Sequence, residues 1–242
     1  MRKVFLSVAV CAALLGISGV AAAQTVDEIV AKNFKAKGGE KWKSIQSTRM
    51  TARINLQGME LPMTIVARRP NLMRQDITVP MQNVTIVQAF DGEKGWGINP
   101  MMAPGATELP AAATESMKDQ ADFDGPLIDY KAKGNTVDVV GTEDVAGVKA
   151  HHLKITKKTG QVQHLYIDVE RGVEVKSVSE IDMGAGVTKV ETELSDYRPV
   201  DGILVPFMMR VNGGPAGPMS MTVDKVEFNV TVDDSLFKMP VK

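Results

Sequence analysis

Three histidines carry the first chemistry to weigh in this chain: His151, His152 and His164. His151 and His152 are neighbours on an expected strand, so their side chains point to opposite faces and cannot ligate one ion together. His164 can pair across strands with one of them, but no third ligand stands at an informative spacing. They read as surface or half-buried histidines on a hairpin. The carboxylates are dispersed, as in Glu143-Asp144, Asp182 and Glu191-x-Glu193. Glu191 and Glu193 share a strand face, the solvent face if Val190 and Leu194 point inward, which makes them a solvated edge more readily than an acid and base pair. No nucleophile elbow, Ser-x-x-Lys motif or glycine-rich phosphate loop ahead of a helix occurs. The residues predict no enzyme, no bound cofactor and no metal.

Methionine is the compositional oddity, with 15 in the chain, including Met101-Met102, Met208-Met209 and Met219-x-Met221. A flexible, polarizable thioether suits an apolar surface that must fit a variable ligand. It also serves as plain core filler, and thioethers alone make a poor Cu(I) site without His or Cys support. Arg69 stands out among the cations. It continues the parity of Met63, Ile65 and Ala67, so it points toward an apolar face at a strand end, where a guanidinium needs loop or helix carbonyls or a ligand headgroup as acceptors. The alternative is that it snorkels outward at the strand end.

The elements that must position these residues begin after an export signal. Arg2 and Lys3 precede an apolar run from Val4 to Val20, and Ala21-Ala22-Ala23 supplies small residues before Gln24, so residues 1–23 read as a cleaved signal peptide. Cys11 follows Val10 with too short an apolar run before it for lipidation. The expected location is the periplasm, as a soluble, unlipidated protein. Over the whole chain 28 Lys and Arg meet 29 Asp and Glu. Cleavage leaves 219 residues with a balance of −3 and no cysteine, which excludes thiol chemistry and disulfides. Scattered charges of both signs leave no electrostatic footprint for nucleic acid. At this size folding buries roughly 70% of the unfolded surface, enough for a core without staples.

Thr25 to Lys37 reads as an amphipathic helix: Thr25 and Glu28 have capping-box spacing, Val26, Ile29, Val30 and Phe34 recur at helical intervals, and Gly38-Gly39 stops the run. Trp42 and Ile45 continue onto a second short turn. From Ser47 the period becomes 2. Met50, Ala52, Ile54 and Leu56 alternate with Thr51, Arg53 and Asn55, and Leu61, Met63, Ile65 and Ala67 alternate with Pro62, Thr64, Val66 and Arg68. Strands follow over Leu72–Val79, Val84–Phe90 and Gly95–Asn99, with turns at Pro70-Asn71, Pro80 and Asp91-Gly92. Met101 to Pro110 reads as a loop and Ala111 to Gln120 as a helix, closed by Asp124-Gly125-Pro126. A second meander runs through Thr136–Val140, Ala150–Lys157, Gln161–Val169, Gly172–Ile181, Thr188–Tyr197, Ile203–Val211 and Met219–Asn229. The predicted class is mainly antiparallel β with a few helices, an α+β arrangement in which residues 24–242 form a single domain: a curved sheet with an N-terminal helix and a central helical segment packed on it. A sheet of about a dozen strands must curl or close.

Arg69-Pro70-Asn71-Leu72, followed after one strand by Asp91-Gly92-x-x-x-Trp96-x-x-Asn99-Pro100, resembles the pattern of the periplasmic lipoprotein carrier LolA and the broader outer-membrane lipoprotein-sorting family. The ending Val232-Asp233-Asp234-Ser235-Leu236-Phe237-x-x-Pro240 is similar as well. The mature chain is longer than a typical carrier, and its Met101-Met102 and Asn212–Met221 inserts are not part of the motif. The resemblance implies an incomplete barrel closed by helices that act as a lid over an apolar cavity, and a soluble carrier that shuttles lipoprotein acyl chains, or another lipid, toward the outer membrane. It further implies an inner-membrane exporter and an outer-membrane acceptor as partners, a monomeric state, and Arg69 as the latch that holds the lid shut. Face parity together with the motif places Met63, Ile65, Ala67, Phe90, Trp96 and Ile98 in the cavity wall. An envelope sensor or protein-interaction module built on the same half-barrel is the alternative.

Overall fold

Thr25 starts the first helix by satisfying two of its free N–H groups. Its hydroxyl accepts from the Glu28 N–H at 3.3 Å while Glu28 Oε2 accepts from the Thr25 N–H at 2.8 Å, the capping box that the spacing predicts. Helix α1 spans Val26–Ala36 and stops where Gly38 and Gly39 take φ of 97° and 56°. The short α2, Glu40–Ser44, follows at once. These elements belong to a computed structural model that describes residues 24–182, 187–214 and 217–240. The expected signal peptide, 1–23, lies outside the described residues.

Strands β1 (Ser47–Leu56), β2 (Met59–Arg68), β3 (Leu72–Val79), β4 (Val84–Phe90), β5 (Gly95–Ile98) and β6 (Ala106–Glu108) form the first meander. Helix α3 (Ala111–Ala121) and the turns up to Asn135 form the insertion. The second meander comprises β7 (Thr136–Val145), β8 (Val148–Thr156), β9 (Val162–Asp168), β10 (Glu174–Asp182), β11 (Val187–Val200), β12 (Ile203–Asn212) and β13 (Met219–Phe228).

All thirteen strands join one antiparallel sheet in the order β6-β5-β4-β3-β2-β1-β13-β12-β11-β10-β9-β8-β7. The two meanders fuse where β1 pairs with β13, in a register that sets Ala52 against Val223. The edges are β6 and β7, consecutive in sequence and separated by the insertion. The sheet is therefore a curved, open half-barrel whose unclosed side is spanned by the segment that carries α3.

Strands β3 and β4 lie where alternation predicts them. Strand β6 falls inside the stretch read as a loop, because only three residues pair with Trp96 to Ile98 and no period is visible over three. Strand β7 extends beyond Val140, since its ladder to β8 continues through a register shift between Val139 and Gly141 that breaks the alternation.

The three helices cover one face, the inner face. Ile29 of α1 packs with Leu153, Ile155, Leu165 and Ile167; Trp42 of α2 packs with Ile45, Ile203, Val205 and Phe207; Met117 and Ala121 of α3 pack with Met73 and Phe90. On the outer face the C-terminal segment returns across β1 to β5. The Trp96 indole N–H donates to the Phe237 carbonyl at 2.7 Å, Arg74 donates to the Leu236 carbonyl at 3.2 Å, and Arg68 pairs with Asp234.

Candidate functional site

Arg69 emerges from the end of β2 into a set of fixed acceptors. Its Nε donates to the Ile45 carbonyl at 2.7 Å, and its two terminal nitrogens grip Asp124 at 2.6 and 2.7 Å, with a longer contact of 3.3 Å to the Trp42 carbonyl. The guanidinium lies over the Phe123 ring, 4.6 Å from its centre. Trp42 stands 5.2 Å from the same ring and donates its indole N–H to Asp124 at 2.9 Å. Strand end, α2 and the turn after α3 thus share one ionic knot. A planar, two-pronged cation is the side chain that can hold a carboxylate and two carbonyls at once. Burial pushes the Asp124 carboxyl up, but the bonds from Arg69 and Trp42 outweigh it and hold the group below its ordinary value. The snorkelling alternative for Arg69 does not occur.

Two further ties fasten the same turn. Lys133 donates to Asp122 at 2.7 Å and to the Gly125 carbonyl at 2.6 Å. Tyr130 and Lys131 both reach Asp27 of α1, each at 2.9 Å. Helices α1 and α2 and residues 122–134 form a cover clipped by polar bonds at its margins and seated on apolar side chains beneath.

The structure brings together four of the six residues expected to form an apolar wall. Ile65 and Ala67 pack against Met73, Phe90 and Met117, and Met63 adjoins Ile65 through the cluster of Ile54 and Leu61. Trp96 and Ile98 are a correction: they lie on the opposite face with Val87, Ala89 and Ala106. The cause is register. Phe90 pairs with Gly95 while Ala89 pairs with Trp96, so Trp96 follows Ala89 and not Phe90. Period 2 correctly groups Trp96 with Ile98, but it does not say which face they share. The signal that was available is Gly95-x-Gly97: on the helix-covered side a Cβ at Gly95 would stand 3.2 Å from the Thr114 backbone, so that side must be glycine. Met73 and Met117 are wall residues that sequence reasoning missed.

Toward the hairpin ends away from Arg69 no helix among the described residues packs on the inner face. Leu56, Ile77, Val79, Met219 and Met221 remain partly exposed around Ile54, Leu61 and Met63. Under α1, against β10 to β12, lies a cavity of about 210 Å³, lined on one side by Asn33. Asn33 Nδ2 donates to the Gly172 carbonyl at 2.9 Å, whereas its buried Oδ1 has no partner among the described residues. An orphaned buried acceptor costs about 1–3 kcal/mol. A larger cleft of about 410 Å³ lies beside the C-terminal segment, lined by Gln46, Arg68 and Asn229 together with Val230 and Val232.

No family model matches this chain, and no curated relative does. Solved structures match along most of its length. A LolA superfamily protein from Nitrosomonas europaea superposes with a TM-score of 0.61 at 12% identity, covering 89% of this chain and 98% of that one. A DUF1329 family protein from Desulfovibrio piger gives 0.61 at 13%, covering 89% and 98%. A domain from Vibrio parahaemolyticus named for outer membrane lipoprotein sorting gives 0.59 at 11%, covering 88% and 97%.

The chain has the LolA-like fold. At such identities the likeness is one of backbone architecture, and it bears out the resemblance read from the Arg69-Pro70 hairpin and the Asp91-Gly92 turn at that level. Within the LolA-like fold the histidines lie on β8 and β9. His151 contacts Gln24 at 2.6 Å; His152 bridges Glu143 at 2.5 Å and His164 at 2.7 Å and stacks on Tyr166. Burial, and then the neighbouring His152, lower the basicity of His164. The cross-strand pairing of two histidines was open to sequence reasoning, but the bond to Glu143 depends on the displaced register of β7. Among the described residues no group of three or more His, Cys, Asp or Glu side chains can hold a metal ion, and no helix is long and apolar enough to cross a membrane.

Proposed function

We propose that this protein is an exported carrier that takes up lipoprotein acyl chains, or another lipid, against the inner face of its half-barrel and moves them toward the outer membrane. The observation that carries this reading is the Arg69–Asp124 knot, which ties α2 to the turn that follows α3, the helix whose Met117 and Ala121 pack on Met73 and Phe90 beside Ile65 and Ala67. The names of proteins with this fold support it, since one is named for lipoprotein sorting.

No covalent step is needed, and none of the side chains described above is arranged for one. Each methylene removed from water contributes about 0.8 kcal/mol, so ten of them offer about 8 kcal/mol to offset lifting the cover and ordering the chain. With the cover seated, the helices occupy the inner face; a ligand replaces their apolar side chains rather than filling a ready void. Arg69 is the latch in this reading. Release follows when an acceptor binds the chain better than the reseated cover does. The expected partners are an inner-membrane exporter and an outer-membrane acceptor, and the working form is a monomer.

The test is mass spectrometry of an organic extract of protein purified without detergent from a periplasm, followed by titration of the stripped protein with an acyl probe. A stoichiometric lipid or a co-purified lipoprotein supports carriage and gives the cargo class. An empty protein that also binds no acyl probe overturns it and leaves the interaction module.

A further inference from the structure

A row of titratable side chains crosses the outer face along neighbouring strands: Glu143 on β7, His152 on β8, His164 on β9 and Glu180 on β10. Ala150, Tyr166 and Val178, which share the parity of His152, His164 and Glu180, cluster there, apart from the residues that seat α1. His152 is buried and stacks on Tyr166 with ring centres 4.5 Å apart. Its Nδ1 lies 2.5 Å from Glu143, and its Nε2 lies 2.7 Å from His164 Nδ1. The two histidine ring centres are 4.9 Å apart, nearly the widest that nitrogen spacing allows, so the nitrogens face each other in line. That is the geometry of one N–H···N bond, in which only one ring can supply the proton.

The proton count fixes the states. With Glu143 ionised and both rings neutral, His152 Nδ1–H donates to Glu143 and His164 Nδ1–H donates to His152 Nε2. One added proton still fits: it enters at His164 Nε2 while the bridging proton passes from His164 Nδ1 to His152 Nε2, and the resulting His152 imidazolium donates to Glu143 on one side and to His164 on the other. A second added proton sets N–H against N–H. Glu180 stands across β9 from His152, two positions along β10 from Val178, the pairing partner of His164. Burial, His152, Lys154 and Lys189 lower the basicity of His164, and Glu180 opposes them. Asp138 of β7, Tyr166 of β9, Lys176 of β10 and Glu191 of β11 share this face, with Lys176 and Glu191 paired at 3.0 Å.

We propose that this row is a two-proton switch: the rings stay bonded through the first proton, and the second turns His164 away from His152 and onto Glu180, so that each imidazolium ends on its own carboxylate. Glu180 then gives up its 3.3 Å tie to Lys189, and acid loosens this outer-face link between β10 and β11. His164 is depressed below its ordinary value, so the unfolded chain takes the second proton more readily than the folded one. The stability contributed by the bonded pair is therefore complete above about pH 6.5 and is lost as pH falls from there through the lower folded value. The switch does not depend on carriage.

The experiment is nuclear magnetic resonance of the full-length mature protein, isotopically labelled in histidine alone and titrated from about pH 8 to about pH 4.5. The three histidines give three ring systems, assigned by single variants. His152 and His164 are expected to titrate together in two steps more than about one pH unit apart. Between the steps the nitrogen shifts should show His164 as the Nε2–H tautomer, and below the second step the proton contact between the two rings should vanish. Glu180→Gln should keep the upper step and lower the second by about half a pH unit, since it removes the carboxylate that receives the cation. His164→Gln should leave His152 with a single step, whereas His151→Gln, on the other face of β8, should change neither. One independent step for each ring, a ring contact that persists in the doubly protonated protein, or a second step unmoved by Glu180→Gln overturns the switch. The first two outcomes are read on the unaltered protein, so they stand even if a variant fails to fold.

Discussion

Arg69 illustrates how one side chain decides the state of a cover. Its side chain is 19% exposed and that of Asp124 24%, so their bond is worth less than a fully buried pair, for which removal of one partner costs about 3–5 kcal/mol, and more than a surface pair at about 0.2–1 kcal/mol. Arg69→Leu is expected to weaken closure by about 1–3 kcal/mol and to leave the sheet folded, because the apolar seats of Trp42 and Phe123 remain. Amide hydrogen exchange should accelerate in residues 40–45 and 122–134 but not in the strands, and a bound acyl probe should leave faster; unchanged exchange and release would remove the latch role. The pH dependence has a definite sign. The folded-state value of Asp124 is depressed, so its contribution is complete above the unfolded value of about 3.9 and is lost as pH falls through the lower folded value. The knot stays closed at neutral pH, and only strong acid loosens it. Sequence parity was enough to aim Arg69 at the covered face. It could not name Asp124, fifty-five positions away, because that partner arrives only when the insertion folds back.

At the scale of elements, α3 is held by shape more than by its own amphipathicity. Only Met117 and Ala121 are buried within it, and it sits directly on the glycine side of β5. A Cβ on Gly95 would meet Thr114 Oγ1 at 3.0 Å and Thr114 Cα at 3.2 Å. Because one of those atoms is backbone, the helix must shift as a body. Gly95→Val should cost about 1–3 kcal/mol by overpacking, a fall in melting temperature of roughly 2–12 °C for a chain this long, and should uncover Met73 and Phe90 to an environment-sensitive dye. A melting temperature and dye response equal to wild type would mean that α3 is not seated there. Helix α1 was legible in its capping box, hydrophobic period and terminal glycines, which are local signals. Strand β6 was not, since its pairing partner supplies its only evidence.

At the scale of the molecule, an open sheet of thirteen strands leaves two faces to protect, and separate parts of the chain do so. Helices cover much of the inner face. The C-terminal segment covers part of the outer one, burying Phe237 and closing over Trp96, each 1% exposed. Truncation after Val232 removes Phe237, the acceptor of the Trp96 indole and the partners of Arg68 and Arg74. Loss of one buried phenylalanine alone costs about 3–5 kcal/mol, so the urea midpoint should fall sharply and, in a Trp42→Phe background, Trp96 emission should move to the red. A truncated protein with the midpoint and emission of the full chain would show the segment to be dispensable. Trp96 is therefore a determinant of architecture, placed where the family motif suggested a cavity residue.

What the sequence determined by itself is whatever depends on neighbours along the chain: the period of 2 in the strands, the capped and glycine-stopped first helix, the turns at Pro70 and Asp91-Gly92, and the pairing of parity that groups Met63, Ile65, Ala67 and Arg69. The curved antiparallel class follows from those elements, because a dozen half-apolar strands and few helices have little else to form. The tertiary structure alone decided which face each strand group presents, since a one-residue change of register moves a whole set of side chains across the sheet. It decided that Phe90 and Trp96 part company, that Asp124 closes on Arg69, and that Asn33 of α1 bonds the Gly172 carbonyl. Each of these depends on contacts between residues far apart in sequence, and a local pattern carries no information about the partner.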